Sequence, residues 1–197
     1  MNHQMIPVKH LKPLEYVNPH HLKNLAKIIS HDKVMKTPLV VEDKYNIVLD
    51  GSNRYVFLMQ RGFKYAPVLK VDYDNAHVRV GSHRVHCLLT ENHPVLLSKE
   101  DIIRTALSGV LYPPRTTRHI FPFLRPEVNI PLDQLEKTEP ANMDSFIANI
   151  GIEDEIESNK KYIREIEEET DELIRYLNEG RQTKKYLEWQ IKEMENI

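Results

Sequence analysis

The chain has 197 residues, 29 acids against 27 Lys and Arg, and a formal charge of −2; that length allows one ordinary domain with an appendage. The charge is uneven: residues 152–197 carry 14 acids and 8 bases, net −6, and the remainder has 15 acids and 19 bases, net +4. A mildly basic body suits a phosphate-bearing small molecule and lacks the strong field of a protein that coats DNA, while the single Cys87 excludes a disulfide framework and any multi-cysteine metal site.

Ile6-Pro-Val with Leu11 predicts a short first strand, and Lys12-Pro13-Leu14-Glu15 a turn. Pro19 opens a helix with Leu22, Leu25, Ala26 and Ile29 on one face. Glu15 is therefore a loop carboxylate just ahead of a helix; most such glutamates are simply solvated. Pro38-Leu-Val-Val predicts a second strand, Glu42 to Asn46 a polar turn, and Ile47-Val-Leu49 a third strand, the two strands forming a hairpin. Asp50-Gly51 breaks that strand, because glycine tolerates backbone angles that other residues avoid. From Ser52 the period changes. Tyr55, Leu58 and Met59 fall at i, i+3, i+4 of a helix that Gly62 ends and that Ser52 or Asp50 caps. Ala66 to Tyr73 predicts another strand.

A strand, a glycine turn and a helix N-terminus make an anion site. The N–H groups of Gly51, Ser52, Asn53 and Arg54 have no partner within the first turn. Arg54 adds a positive fork, and Asp50 sets a carboxylate beside the anion, fit to accept a proton or bind Mg²⁺. The plainer alternative is a structural corner with Asp50 as a cap.

His77 to Leu89 alternates in polarity and predicts one hairpin turning at Gly81; His83 and His86, three apart on a strand, point to opposite faces and read as structural. Ser98 starts a helix that Ile102, Ile103 and Ala106 carry to Gly109. Next comes Tyr112-Pro-Pro-Arg-Thr-Thr-Arg-His-Ile-Phe-Pro-Phe. Two guanidiniums, two hydroxyls and an imidazole fall within Arg115 to His119, a donor density suited to gripping phosphate or carboxylate. The alternative is a polar edge strand facing surface acids.

Three blocks together resemble the ParB/sulfiredoxin-like superfamily, and within it the archaeal-type free L-serine kinases. They are Lys-Pro-x-Glu at Lys12 to Glu15, Asp-Gly-x-x-Arg at Asp50 to Arg54, and Pro-x-Thr-Thr-Arg-His at Pro114 to His119. The resemblance runs from about Ile6 to Leu135. Asn53 stands where the usual motif has His, and the segment between the last two blocks is shorter than in the family. The resemblance implies an α+β fold: a small mixed β-sheet with flanking helices over residues 1–135. It implies phosphoryl transfer from ADP or ATP, with Mg²⁺, to the hydroxyl of free L-serine, giving O-phospho-L-serine. Glu15 and Asp50 become the paired catalytic carboxylates at the serine hydroxyl, with Glu15 expected as the base and Asp50 to position serine or metal, an order the sequence does not fix. Gly51, Ser52, Asn53 and Arg54 cradle phosphate, and Thr116, Thr117, Arg118 and His119 close on the phosphoryl group or on serine. No dedicated all-protein metal site is implied. A rival reading is a non-enzymatic nucleotide-binding ParB-like regulator or DNA-associated protein, although no basic recognition helix is evident. A sulfiredoxin-like reductase would need a cysteine in the central motif, which has none.

Residues 136–151 read as a polar linker. Beyond it, Ile152, Ile166, Leu173, Leu187 and Met194 form one seven-residue series, and Ile156, Ile163, Leu177 and Ile191 another. This is a coiled-coil seam over residues 152–197, in one helix or in a helical hairpin folding back at the weak point Asn178 to Arg181, and it predicts self-association, as a dimer; the plainer alternative is an amphipathic helix laid on its own domain. No apolar run approaches the ~20 residues of a membrane span, and no charged-then-apolar leader opens the sequence. A cytoplasmic setting without membrane is expected.

Overall fold

The computed structural model describes residues 3–81, 89–90, 93–94 and 97–148, and, of the C-terminal segment, 160, 163–164, 166–168, 170–171, 174–181, 183–184 and 188. Two compact units divide the chain, Met1–Asn149 and Ile150–Ile197.

The first unit is mixed α and β. Its elements are β1 (Gln4–Pro7), α1 (Pro19–Asp32), β2 (Val34–Met35), β3 (Leu39–Glu42), β4 (Val48–Asp50), α2 (Ser52–Gln60) and β5 (Tyr65–Val71). There follow β6 (Arg79–Gly81), β7 (Leu89–Thr90), β8 (His93–Pro94), α3 (Lys99–Ser108), β9 (Arg118–Ile120) and β10 (Ile130–Pro131). The main sheet has the order β1-β5-β3-β4. β3 runs parallel to β5, with Leu39 opposite Val68, and antiparallel to β4; β1 and β5 are antiparallel. The parallel pair requires a crossover, and α2 supplies it.

Both faces of the sheet are covered, because successive strand residues point to opposite sides. Leu39, Val41 and Val48 join Leu22, Ile29, Phe57 and Leu58 from α1 and α2 in one core. Val40 and Leu49 face the other way and join Ile102 and Ala106 of α3. Asn18 caps α1, its side chain accepting from the His20 and His21 N–H groups, with Pro19 in the first turn. Ser98 and Asp101 form a reciprocal capping box at the start of α3.

Several expectations are corrected. Neither Ser52 nor Asp50 caps α2; the N-cap is Gly51, at φ +102°, and no side chain caps that end. β6 pairs with β9, Gly81 opposite Arg118, where a local hairpin was expected. The remainder of that expected hairpin, with His83, His86 and Cys87, lies outside the described residues. Residues 136–148, read as a linker, pack on the first unit: Met143 is buried, Thr138 N–H donates to the Gly62 carbonyl at 2.7 Å, and Ile147 bridges to Val17. Its polar side chains face out while a few apolar ones anchor it.

Within the second unit the described residues are helical, including all of 174–181, so no reversal falls at Asn178 to Arg181. Ile163, Ile166 and Leu177 of the expected seam are exposed on this helix. The described residues of this segment show a helix and do not show a coiled coil. No described helix is long and apolar enough to cross a membrane.

Candidate active site

The β4–α2 corner forms one wall of a cleft of about 410 Å³. Leu49, Asp50, Gly51, Ser52, Asn53 and Arg54 line it on this side, Thr37 and Leu25 at the back, and Glu15, Arg115 and Thr117 opposite. Two of the three sequence blocks thus meet the third across one opening. The chain brings them together through backbone pairing. Tyr16 N–H donates to the Tyr112 carbonyl at 2.9 Å, and Tyr112 N–H to the Leu14 carbonyl at 3.0 Å.

Glu15 is held by the Pro114 to His119 block. Its Oε1 accepts from Thr117 N–H at 2.5 Å and from Thr117 Oγ1 at 2.7 Å, and its Oε2 accepts from Arg115 N–H at 3.2 Å. Arg115 takes φ +60° to present its N–H this way. Glu15 is therefore a fixed acceptor at the cleft wall, and two backbone N–H groups and a hydroxyl are among its partners.

Asp50 lines the same cleft and is held by guanidinium groups. Arg54 Nη2 donates to Asp50 Oδ2 at 2.6 Å, and Arg125 Nη1 lies 3.1 Å from the same oxygen. Arg54 does not reach outward as a phosphate fork. Its Nη1 donates to the Thr37 and Pro38 carbonyls at 3.2 and 2.9 Å and also to Thr37 Oγ1, and its side chain is 13% exposed. Burial pushes this guanidinium down from its usual range while Asp50 pushes it up; arginine stays charged in such a setting. The side chain doubles back under the turn, so a Cβ on Gly51 would lie 2.9 Å from Arg54 Nη2. Both φ and this close approach require glycine at that position.

Ser52 and Asn53 lie in the first turn of α2, whose N–H groups end at the cleft. Asn53 Oδ1 is buried without a hydrogen-bond partner. In the Pro114 to His119 block, Thr117 of the four predicted residues lines the cleft. Thr116 is buried in its turn, and Arg118 is exposed on β9. His119 is packed between Tyr73 and Phe121, with Nε2 2.9 Å from Tyr73 Oη. Burial pushes its imidazole down to about 4, against smaller opposing effects of the Leu49 backbone and Asp50. It stands as a neutral prop behind Leu49 and Asp50. Sequence reasoning missed Thr37, Arg115 as a wall residue, and Arg125. Arg115 sat inside the donor cluster and was legible there; Arg125 had no local signal.

The carboxylates do not make a metal cage: no group of three or more metal-ligating side chains occurs among the described residues. Asp50 meets its two arginines through Oδ2, so a divalent cation, if one binds here, would find the Oδ1 side of that carboxylate. Such ions are commonly held by one or two carboxylates plus substrate phosphate.

No family model matches the chain. It is 31% identical over 91 residues to an ATP-dependent L-serine kinase of Staphylothermus marinus, covering 39% of this chain and 36% of the relative. The chain thus spans about a third of the length of that curated relative. A free serine kinase in complex with AMP superposes with a TM-score of 0.60 at 15% identity, over 69% of this chain and 94% of that one. A substituted free serine kinase in complex with ADP gives the same TM-score and identity, over 69% and 95%. SbnI from Staphylococcus aureus, truncated at its C-terminus, gives 0.57 at 13% identity, over 83% and 96%. The chain therefore resembles the free serine kinases in sequence, and its first unit has their fold.

Proposed function

We propose that this protein is a phosphotransferase that moves a phosphoryl group from ADP or ATP to the hydroxyl of free L-serine. The observation that carries the reading is the cleft itself. It brings two carboxylates, Glu15 and Asp50, and the N-terminus of α2 into the lining of one space. Phosphoryl transfer asks for these parts: an oriented hydroxyl, a held phosphate chain and fixed cations. The resemblance to serine kinases names the acceptor.

The division of labour follows from the contacts. The turn at Gly51, Ser52 and Asn53 receives phosphate oxygens on its N–H groups. Arg115, whose guanidinium has no ion pair among the described residues, faces the same space from the other wall. Arg54 holds Asp50 and the start of β3 in place, so its part is positioning. Glu15 accepts the proton as the serine oxygen bonds to phosphorus and the bond to the departing nucleotide oxygen breaks. Asp50, already neutralised by guanidinium, positions the serine ammonium or the nucleotide's Mg²⁺. That ion, when bound, offsets phosphate charge.

The test is phosphoserine formation from free serine with ADP and ATP, each supplied with Mg²⁺. Product is expected with at least one donor. No product from either, with nucleotide still bound, would replace this reading by the regulator.

A further inference from the structure

Residues 121–128 run from β9 towards β10 beside the cleft. Both ends are anchored. β9 pairs with β6, and Val128 N–H donates to the Lys36 carbonyl at 2.8 Å, next to Thr37 of the cleft wall. Between the anchors, Arg125 reaches back to Asp50 at 3.1 Å.

Asp50 thus carries two guanidiniums on one oxygen, and they are not equivalent. Arg54 is held by Thr37, Pro38 and Asp50 at 13% exposure. Arg125 is 47% exposed, and Asp50 is its ion-pair partner among the described residues. Arg54, the buried partner, already balances the charge of Asp50, so the second arginine is not needed for that. Half-exposed pairs are weak and exchange readily. A phosphate offers an arginine several oxygens and a bidentate geometry, and the N-terminus of α2 draws phosphate to this spot.

We propose that Arg125 is a phosphate-binding residue: it leaves Asp50 when nucleotide enters and grips the polyphosphate, while Arg54 keeps Asp50 in place. The inference rests on the nucleotide-dependent kinase reading and adds a residue outside all three sequence blocks. It also gives Asp50 two states, shielded by Arg125 at rest and released to the substrates when the site fills.

A double-mutant cycle read by calorimetry separates direct contact from charge screening. ADP and adenosine are titrated into the wild type, Arg125→Gln, Asp50→Asn and the double variant, with melting temperatures confirming folding. Direct contact predicts that Arg125→Gln weakens ADP about tenfold even in the Asp50→Asn background, with adenosine unchanged. Arg125→Lys should recover part of the loss, since lysine keeps the charge without the fork. If the loss appears only while Asp50 is present, Arg125 merely screens that carboxylate and the proposal falls. An equal loss for adenosine would also overturn it. Wild-type protein that binds no ADP would overturn the kinase reading and this proposal together; ADP binding indifferent to Arg125 would overturn this proposal alone.

Discussion

Glu15 and Thr117, 102 positions apart in sequence, are joined by two hydrogen bonds to one carboxylate oxygen, at 2.5 Å from the N–H and 2.7 Å from Oγ1. This tie converts a loop glutamate into a wall residue with a fixed direction. Thr117→Val keeps the N–H donor and removes the hydroxyl. A hydrogen bond to a charged group is worth about 1.5–3 kcal/mol, so serine phosphorylation should fall about tenfold to a hundredfold through kcat, with nucleotide affinity nearly unchanged. Glu15→Gln removes the base and should lower kcat by about 10²–10⁴-fold. Steady-state kinetics alongside ADP titration distinguishes these. Equal losses in kcat and in nucleotide affinity would show that the tie holds the nucleotide pocket and not the base.

The glycines give a graded stability test. Gly51, Gly62 and Gly109 all have positive φ, so alanine is strained at each. Only the surroundings differ. At Gly109 an added Cβ meets nothing within 4 Å. At Gly62 it would lie 2.3 Å from the Thr138 carbonyl oxygen, and at Gly51 2.9 Å from Arg54 Nη2. Gly109→Ala should cost about 1 kcal/mol from the backbone alone. Gly62→Ala should cost more, roughly 2–4 kcal/mol, because a backbone segment must move. Gly51→Ala should fall between them and also weaken ADP binding, since Arg54 must shift. Urea midpoints rank the three; equal midpoints for Gly62→Ala and Gly109→Ala would refute the packing of residues 138–141 over Gly62.

His119 sets a pH dependence. Its imidazole is pushed down from 6.5 to about 4 by burial. The unfolded chain therefore binds this proton first as pH falls. The stability that neutral His119 preserves is complete above about pH 6.5 and is lost progressively down to about pH 4. Below that both states are protonated and the loss stops. The window corresponds to about 3 kcal/mol at most. His119→Gln removes the titration and keeps a hydrogen-bonding partner for Tyr73. The variant should lose less stability than wild type between pH 6.5 and 4; parallel curves would place the imidazole in water.

Much of the site was legible because its parts are local. Ile47 to Gly62 shows its strand, its glycine break and its helical period within one short stretch, and β4 and α2 follow that reading closely. Direction was not legible. Charge marked Arg54, but whether its guanidinium turns outward or under Gly51 depends on Thr37 and Pro38, distant in sequence. The Thr116 to His119 block was read as four residues facing one site. A chain entering a strand alternates its faces, so Thr117 reaches the cleft while Arg118 points away. Arg125 was invisible for the same reason as the β6–β9 pairing: each is defined only by a remote partner.

The C-terminal segment supplies the last test. Ile163, Ile166 and Leu177 are about half exposed on a helix, at 54%, 44% and 52%. These three belong to the two seven-residue series that run through residues 152–197. An apolar seam of that length is unfavourable in water, and a second copy of the same helix would cover it by interlocking side chains at matching positions. The full chain is therefore expected to be a dimer by light scattering, and protein truncated after Gly151 a monomer with the first unit's core intact. Ile166→Lys and Leu177→Lys together place charges in the seam and should have the same effect as truncation without shortening the chain. The segment's net charge of −6 opposes pairing, so the dimer should tighten with added salt as screening shortens the reach of that repulsion. An unchanged mass on truncation, or a monomer at every salt concentration, would rule out this helix as the interface between copies.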